Sequence, residues 1–90
     1  MSVKVNIPPT LSHLTGGQDL FEANGNTVGE CLNQLIDQFP EVKEQLFSKD
    51  GKLNNVVEVY VNVESSYPEE LAKPVKDGDE LHLIIIILGG

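Results

Sequence analysis

Arginine is absent from this 90-residue chain, cysteine occurs once, and six basic residues face fourteen acidic ones. The lone cysteine, Cys31, excludes an intramolecular disulfide and falls far short of the four thiolates that hold an iron–sulfur cluster. A small ferredoxin is thereby ruled out, and a reducing, intracellular compartment is the expected one. The net charge of −8 gives a field that repels phosphate backbones and anionic lipid alike. Neither nucleic acid nor a membrane is an expected partner. A protein with a basic face is, unless the acidic surface only keeps the chain in solution. Long apolar runs are missing too: the longest, Leu83 to Leu88, is far short of the roughly 20 residues of a transmembrane helix, so it is expected to be buried in protein. The start, Met1-Ser2-Val3-Lys4-Val5-Asn6, lacks the basic-then-apolar pattern of a signal peptide, and the cytoplasm is the expected location.

What is present suits one domain spanning residues 1–90. A chain of this size buries roughly 60–65% of the surface its unfolded form exposes, and 40% apolar residues supply the material. Val3, Val5 and Ile7 alternate with Lys4 and Asn6 at the two-residue period of a strand, which Pro8-Pro9 stops because proline has no N–H to donate. Leu11 and Leu14 are expected to pin the following loop, Gly16-Gly17 to turn, and Leu20-Phe21-Glu22-Ala23 to form a second strand. Thr27-Val28-Gly29-Glu30 reads as a capping box, in which the Thr27 hydroxyl accepts from the Glu30 N–H and the Glu30 carboxylate reaches back to Thr27. The helix it opens carries Val28, Leu32, Leu35, Ile36 and Phe39 on one face. Pro40 ends it and starts a second short helix over Glu41 to Phe47.

Val57, Val59, Val61 and Val63 alternate with Glu58, Tyr60, Asn62 and Glu64, giving a strand with one wet face. A very short edge strand is expected in Ser65-Ser66-Tyr67-Pro68, and Asp77-Gly78-Asp79 marks the loop before a final strand, Glu80 to Leu88. Ile84 to Ile87 do not alternate. Their β-branched density favours a central strand, one of whose faces could also meet a partner. One helix lying across a mixed sheet of four to five strands, with the last strand beside the first, is the α+β, ubiquitin-like β-grasp arrangement. That fold serves modifiers, carriers and redox proteins, so it does not give function by itself.

The chain closes on Leu88-Gly89-Gly90. With glycine at about 7% of residues, a terminal pair arises by chance in roughly 0.5% of chains, so the motif carries weight on a β-grasp pattern. Glycine lacks a Cβ, and its backbone can therefore approach another surface closely and thread a narrow active site. The group delivered there is the Gly90 carboxylate, a poor electrophile until an enzyme converts it to an acyl-adenylate with ATP and magnesium. Sulfur replacing AMP then gives a thiocarboxylate, nucleophilic in its anionic form as a thiolate is. A merely frayed end is the plain alternative.

These segments together resemble the MoaD/ThiS group of ubiquitin-like sulfur carriers. The likeness rests on Ile7-Pro8-Pro9-Thr10-Leu11, Leu14-Thr15-Gly16-Gly17-Gln18, Thr27-Val28-Gly29-Glu30, Val59-Tyr60-Val61-Asn62, Pro74-Val75-Lys76-Asp77-Gly78-Asp79-Glu80 and Gly89-Gly90. The long first loop and the Gly51-Lys52-Leu53 turn are most similar to carriers of the CysO type, which serve cysteine synthesis. The resemblance implies a protein cosubstrate and not an enzyme, with Gly90 bearing the sulfur and Gly89 and Leu88 entering the partner. It implies no bound cofactor and no metal site; ATP and magnesium belong to a ubiquitin-activating-enzyme-like adenylyltransferase. Further implied partners are a sulfurtransferase or sulfide source, a pyridoxal-phosphate cysteine synthase, and a zinc peptidase. In a molybdopterin pathway the partner would instead be the large subunit of molybdopterin synthase, with this chain as the small one; a thiamine pathway is a further possibility. Tyr60, Ile86 and Ile87 are the partner-facing candidates. The tail departs from the family habit, with Ile85-Ile86-Ile87-Leu88 where proline and alanine are common.

Two readings compete with the carrier: a ubiquitin-like modifier joined to lysines through Gly90, and a non-covalent module using the sheet face. Cys31 reads as core packing, His13 and His82 as surface residues too far apart in sequence to suggest a ligand pair, and Glu69-Glu70 as a solvated pair.

Overall fold

The computed structural model describes residues 2–86; Ile87, Leu88, Gly89 and Gly90, to which partner-facing and tail roles are expected to fall, lie outside the described residues. The elements are β1 (Val3–Asn6), α1 (Pro9–Ser12), β2 (Leu20–Ala23), α2 (Val28–Gln38), α3 (Lys43–Leu46), β3 (Val57–Val61), β4 (Glu64–Ser65) and β5 (Glu80–Ile85), with 3-10 turns at Pro40–Val42 and Glu70–Ala72. The strands form one mixed sheet in the order β2-β1-β5-β3-β4. β1 and β5 run parallel, and the other neighbours are antiparallel. This is the β-grasp arrangement, with α2 packed across one side of the sheet.

Helix α2 forms where the capping pattern places it: the Glu30 N–H donates to Thr27 Oγ1 at 3.1 Å. The reciprocal bond differs from expectation. The Glu30 carboxylate accepts from the Asn26 N–H at 2.8 Å, one residue before Thr27, because the Asn26 N–H lies outside any ladder and within the same reach. Val28, Cys31, Leu32 and Leu35 are fully buried against Val3, Val5, Val59 and Leu81 of the sheet. Phe39 packs edge-on to Phe21 of β2 at 6.4 Å between ring centres. The expected second helix is two pieces, the turn at Pro40–Val42 and then α3, whose buried Val42 and Leu46 close one end of the core.

Two strand expectations need correction. β3 stops at Val61, and Val63 is 90% exposed. Asn62 takes a left-handed backbone (φ 57) and turns the chain tightly into β4, a conformation asparagine tolerates better than a β-branched residue does. β5 is the central strand, with β1 beside Glu80–His82 and β3 beside Leu81–Ile85, but its apolar residues are not buried on both faces: Leu81 and Leu83 are interior, whereas Ile84 is 43% and Ile86, just past the strand, 41% exposed. The physical reason is that helices cover only one side of the sheet. The edge strand is Glu64–Ser65, slightly earlier than the segment expected. Among the described residues, no helix is long and apolar enough to cross a membrane.

Candidate functional site

Strand alternation decides which side chains reach the uncovered face. The register sets Asn6 opposite His82 and His82 opposite Tyr60, while Leu20 flanks Asn6 and Ser65 flanks Tyr60. One rung of the open face therefore crosses all five strands as Leu20, Asn6, His82, Tyr60 and Ser65. The next rung toward the C-terminal end of β5 pairs Glu58 with Ile84. Beyond it the Ile86 N–H donates to the Val56 carbonyl at 2.7 Å, extending the strand contact by one further residue. Asn6, Ile7, Pro8, Tyr60, Asn62, His82, Leu83 and Ile84 line a shallow hollow of about 400 Å³ at the centre of this face.

Polar contacts tie together the strands of this face. Asn6 Nδ2 donates to the Leu81 carbonyl at 3.2 Å and to Glu80 Oε1 at 3.4 Å. Ser65 Oγ donates to Glu58 Oε1 at 2.6 Å, and the Tyr67 N–H donates to Ser65 Oγ. The charges in this register are Lys4, Glu22, Glu58 and Glu80, with Lys4 opposite both Glu22 and Glu80. The face is thus an apolar middle with a net acidic margin. A larger groove, about 1170 Å³, lies between α2 and residues 43–54, where Lys43 and Lys49 are offset by Asp37 and Glu44. Its size is not matched by chemistry: it carries no net charge, and it is not on the open face along which β5 leads toward the chain's end.

The loop before β5 is clamped by Asp79, which is buried and accepts from the Lys76 N–H at 2.9 Å and from Asn62 Nδ2 at 3.1 Å. Burial pushes its carboxyl up, but those two donors and the Lys76 charge together outweigh it and hold the group below the usual carboxylate range. Asp77-Gly78-Asp79 therefore fastens the hairpin turn at Asn62 to the start of β5, and Asp77 Oδ1 accepts from the Ser2 N–H. Cys31 lies in the core on the opposite side of the sheet, where burial pushes its thiol up. A Cβ on Gly25 would come within 3.2 Å of its sulfur, so nothing larger fits beside it. Such a thiol is packing material. His13 is exposed at the end of α1 and is not part of the hollow. No cluster among the described residues could hold a metal ion.

Tyr60 of β3 is half-buried and Ile86 is 41% exposed, both on the open face of the sheet, with Ile84 of β5 on the rung between them. His82, Asn6 and Pro8 were not singled out as site residues. The signal was present: Glu80, His82, Ile84 and Ile86 occupy the even positions of β5, and a two-residue period puts them all on one face even though the run looks uniformly apolar.

A mixed five-stranded sheet, with α2 packed on one face and the other face bare, defines the class of ubiquitin-like β-grasp proteins. The chain belongs to the ThiS family, whose model matches residues 5–90. It is 36% identical over the whole length of both chains to the sulfur carrier protein CysO of Mycobacterium tuberculosis. Among solved structures it superposes on a chain of the Amycolatopsis orientalis BexX/CysO complex with a TM-score of 0.88 and 36% identity, covering 98% of this chain and 99% of that one. Small archaeal modifier protein 1 of Haloferax volcanii, 26% identical with both chains fully covered, superposes with a TM-score of 0.87.

Proposed function

We propose that this chain is a sulfur carrier: a protein cosubstrate whose Gly90 carboxylate is adenylated and then converted to a thiocarboxylate that gives up its sulfur in biosynthesis. The observation that carries the reading is the full-length 36% identity to a sulfur carrier protein, together with the Gly89-Gly90 pair that follows β5 in the sequence. On this reading the reacting group is the Gly90 carboxylate and the chemistry is done by the partner enzymes. Its task is presentation, because glycine at the last two positions leaves no Cβ to obstruct a narrow catalytic cleft. The activating enzyme supplies ATP and magnesium. In adenylation the carboxylate oxygen attacks the α-phosphate and pyrophosphate leaves; sulfur then attacks the acyl carbon and AMP leaves. The open face, with Tyr60, Ile84 and Ile86, is the surface against which that enzyme and the later sulfur acceptor dock. Likeness to CysO favours a cysteine-type acceptor reaction on a pyridoxal-phosphate synthase over a molybdopterin or thiamine route.

Intact-protein mass spectrometry after incubation with an activating enzyme of this family, ATP, magnesium and sulfide tests the reading. Replacement of one oxygen by sulfur at Gly90 is expected, and deletion of Gly90 is expected to abolish it. An unmodified mass, with the enzyme active on its own carrier, would count against it. The second reading, a modifier joined to lysines through Gly90, is favoured by the likeness to small archaeal modifier protein 1. Gly90 linked to lysine in cell extract is its expected signature.

A further inference from the structure

His82 is the only imidazole among the described residues of the open face, and it sits at the middle of that face, half-buried between Asn6 of β1 and Tyr60 of β3. Its position relative to the chain's end matters. Four residues separate Ile86 from the end of Gly90, and four residues span at most about 14 Å. An enzyme that acts on the Gly90 carboxylate is therefore held close to Ile86. An ordinary interface covers roughly 800 Å² of each partner, a disc of about 16 Å radius. A footprint of that size centred on Ile86 takes in His82, four strand positions and about 13 Å away.

The charges around it settle the sign of its effect. On its own strand Glu80 and Ile84 flank it on the same face; β3 presents Tyr60 opposite and Glu58 one rung on; β1 presents Asn6 opposite and Lys4 one rung back, where Lys4 is opposed by Glu22 of β2 and by Glu80. β4 contributes Ser65, whose hydroxyl is committed to Glu58. A face with three glutamates to one lysine is complementary to a basic partner. Docked against such a partner, an imidazolium at this position is stripped of water and set against positive charge. Both effects weaken docking of the protonated form.

We propose that His82 makes docking of the enzyme that acts on Gly90 depend on pH: the carrier with neutral His82 docks, and the carrier with charged His82 does not. This rests on the reading of Gly90 as the group acted on. His82 is a positioning residue here and touches no reacting atom.

The test is pyrophosphate release by a purified adenylating enzyme of this family, with ATP and magnesium, on the full chain and on His82→Gln and His82→Asn carriers. The KM for carrier is measured from pH 5.5 to pH 7.5, and dividing wild type by variant at each pH cancels the enzyme's own titration. A side chain whose charge changes between about pH 5 and 8, and which docks only when neutral, raises the wild-type KM ratio about tenfold at pH 5.5 relative to pH 7.5, with kcat unchanged. Both variants, checked for fold by their melting temperatures, are expected to be flat relative to one another. A ratio independent of pH, or a change carried by kcat, overturns the inference while leaving the Gly90 reading standing. No pyrophosphate at any pH, from an enzyme active on its own carrier, overturns both.

Discussion

The two faces of the sheet are built from alternate residues of the same strands, yet they hold the molecule in opposite ways. On the helix side Leu81 and Leu83 of β5 meet Leu32 and Leu35 of α2, and the apolar side chains there are almost wholly withdrawn from water. On the other side Ile84 and Ile86, equally apolar and next in sequence, stay more than two-fifths exposed. Hydrophobicity alone does not distinguish Leu83 from Ile84; the presence of a helix does. One face is therefore bound to stability, and the other is free to be spent on recognition.

Substitutions should separate the faces in order of cost. Leu81→Ala, at a fully buried site, is expected to lose about 2–5 kcal/mol in denaturant unfolding, whereas Ile84→Ala should lose well under 1 kcal/mol. Comparable losses at the two sites would contradict the two-face picture. Gly25→Ala comes next: its Cβ would stand 2.8 Å from Glu30 Cβ and 3.0 Å from the Cys31 nitrogen, so α2 must shift and a cost of about 1–3 kcal/mol is expected.

The Asp79 clamp predicts a pH effect. Its folded carboxyl is held below the unfolded value, so its contribution is fully present above the ordinary carboxylate range and is lost as pH falls through the lower, folded value. Asp79→Asn should remove that part of the acid limb, visible as a shallower fall in melting temperature below about pH 4. An unchanged acid limb would show that the clamp adds nothing. The smallest stability effect is expected at Ile84→Asp, within about 0.5 kcal/mol of wild type because the site is open to water, while KM for the activating enzyme rises by tenfold or more. If that variant unfolds instead, Ile84 belongs to the core and not to the docking face.

Much of this was legible in the residues. Thr27 and Glu30 announced α2, and the valines at 57, 59 and 61 announced β3. What misled was continuity: Val63 extends the valine alternation by pattern, but the chain has already turned at Asn62, and alternation carries no information about where a strand loses its partner. The uniform run from Leu83 to Leu88 hid the opposite fates of its neighbours for a related reason. Cys31 was read as packing, and the core position bears that out.

Local chemistry, which acts over a few residues, was enough to indicate the main strands, the long helix and their order from the sequence alone. Only the tertiary structure decided that His82 stands between Asn6 and Tyr60, that Asp79 fastens Asn62, and that the even-numbered residues of β5 stay bare. These depend on strand register and on which side α2 covers, and both are set by contacts between residues as much as 75 positions apart, as in the bonds from Asn6 to Glu80 and Leu81, which no local pattern encodes.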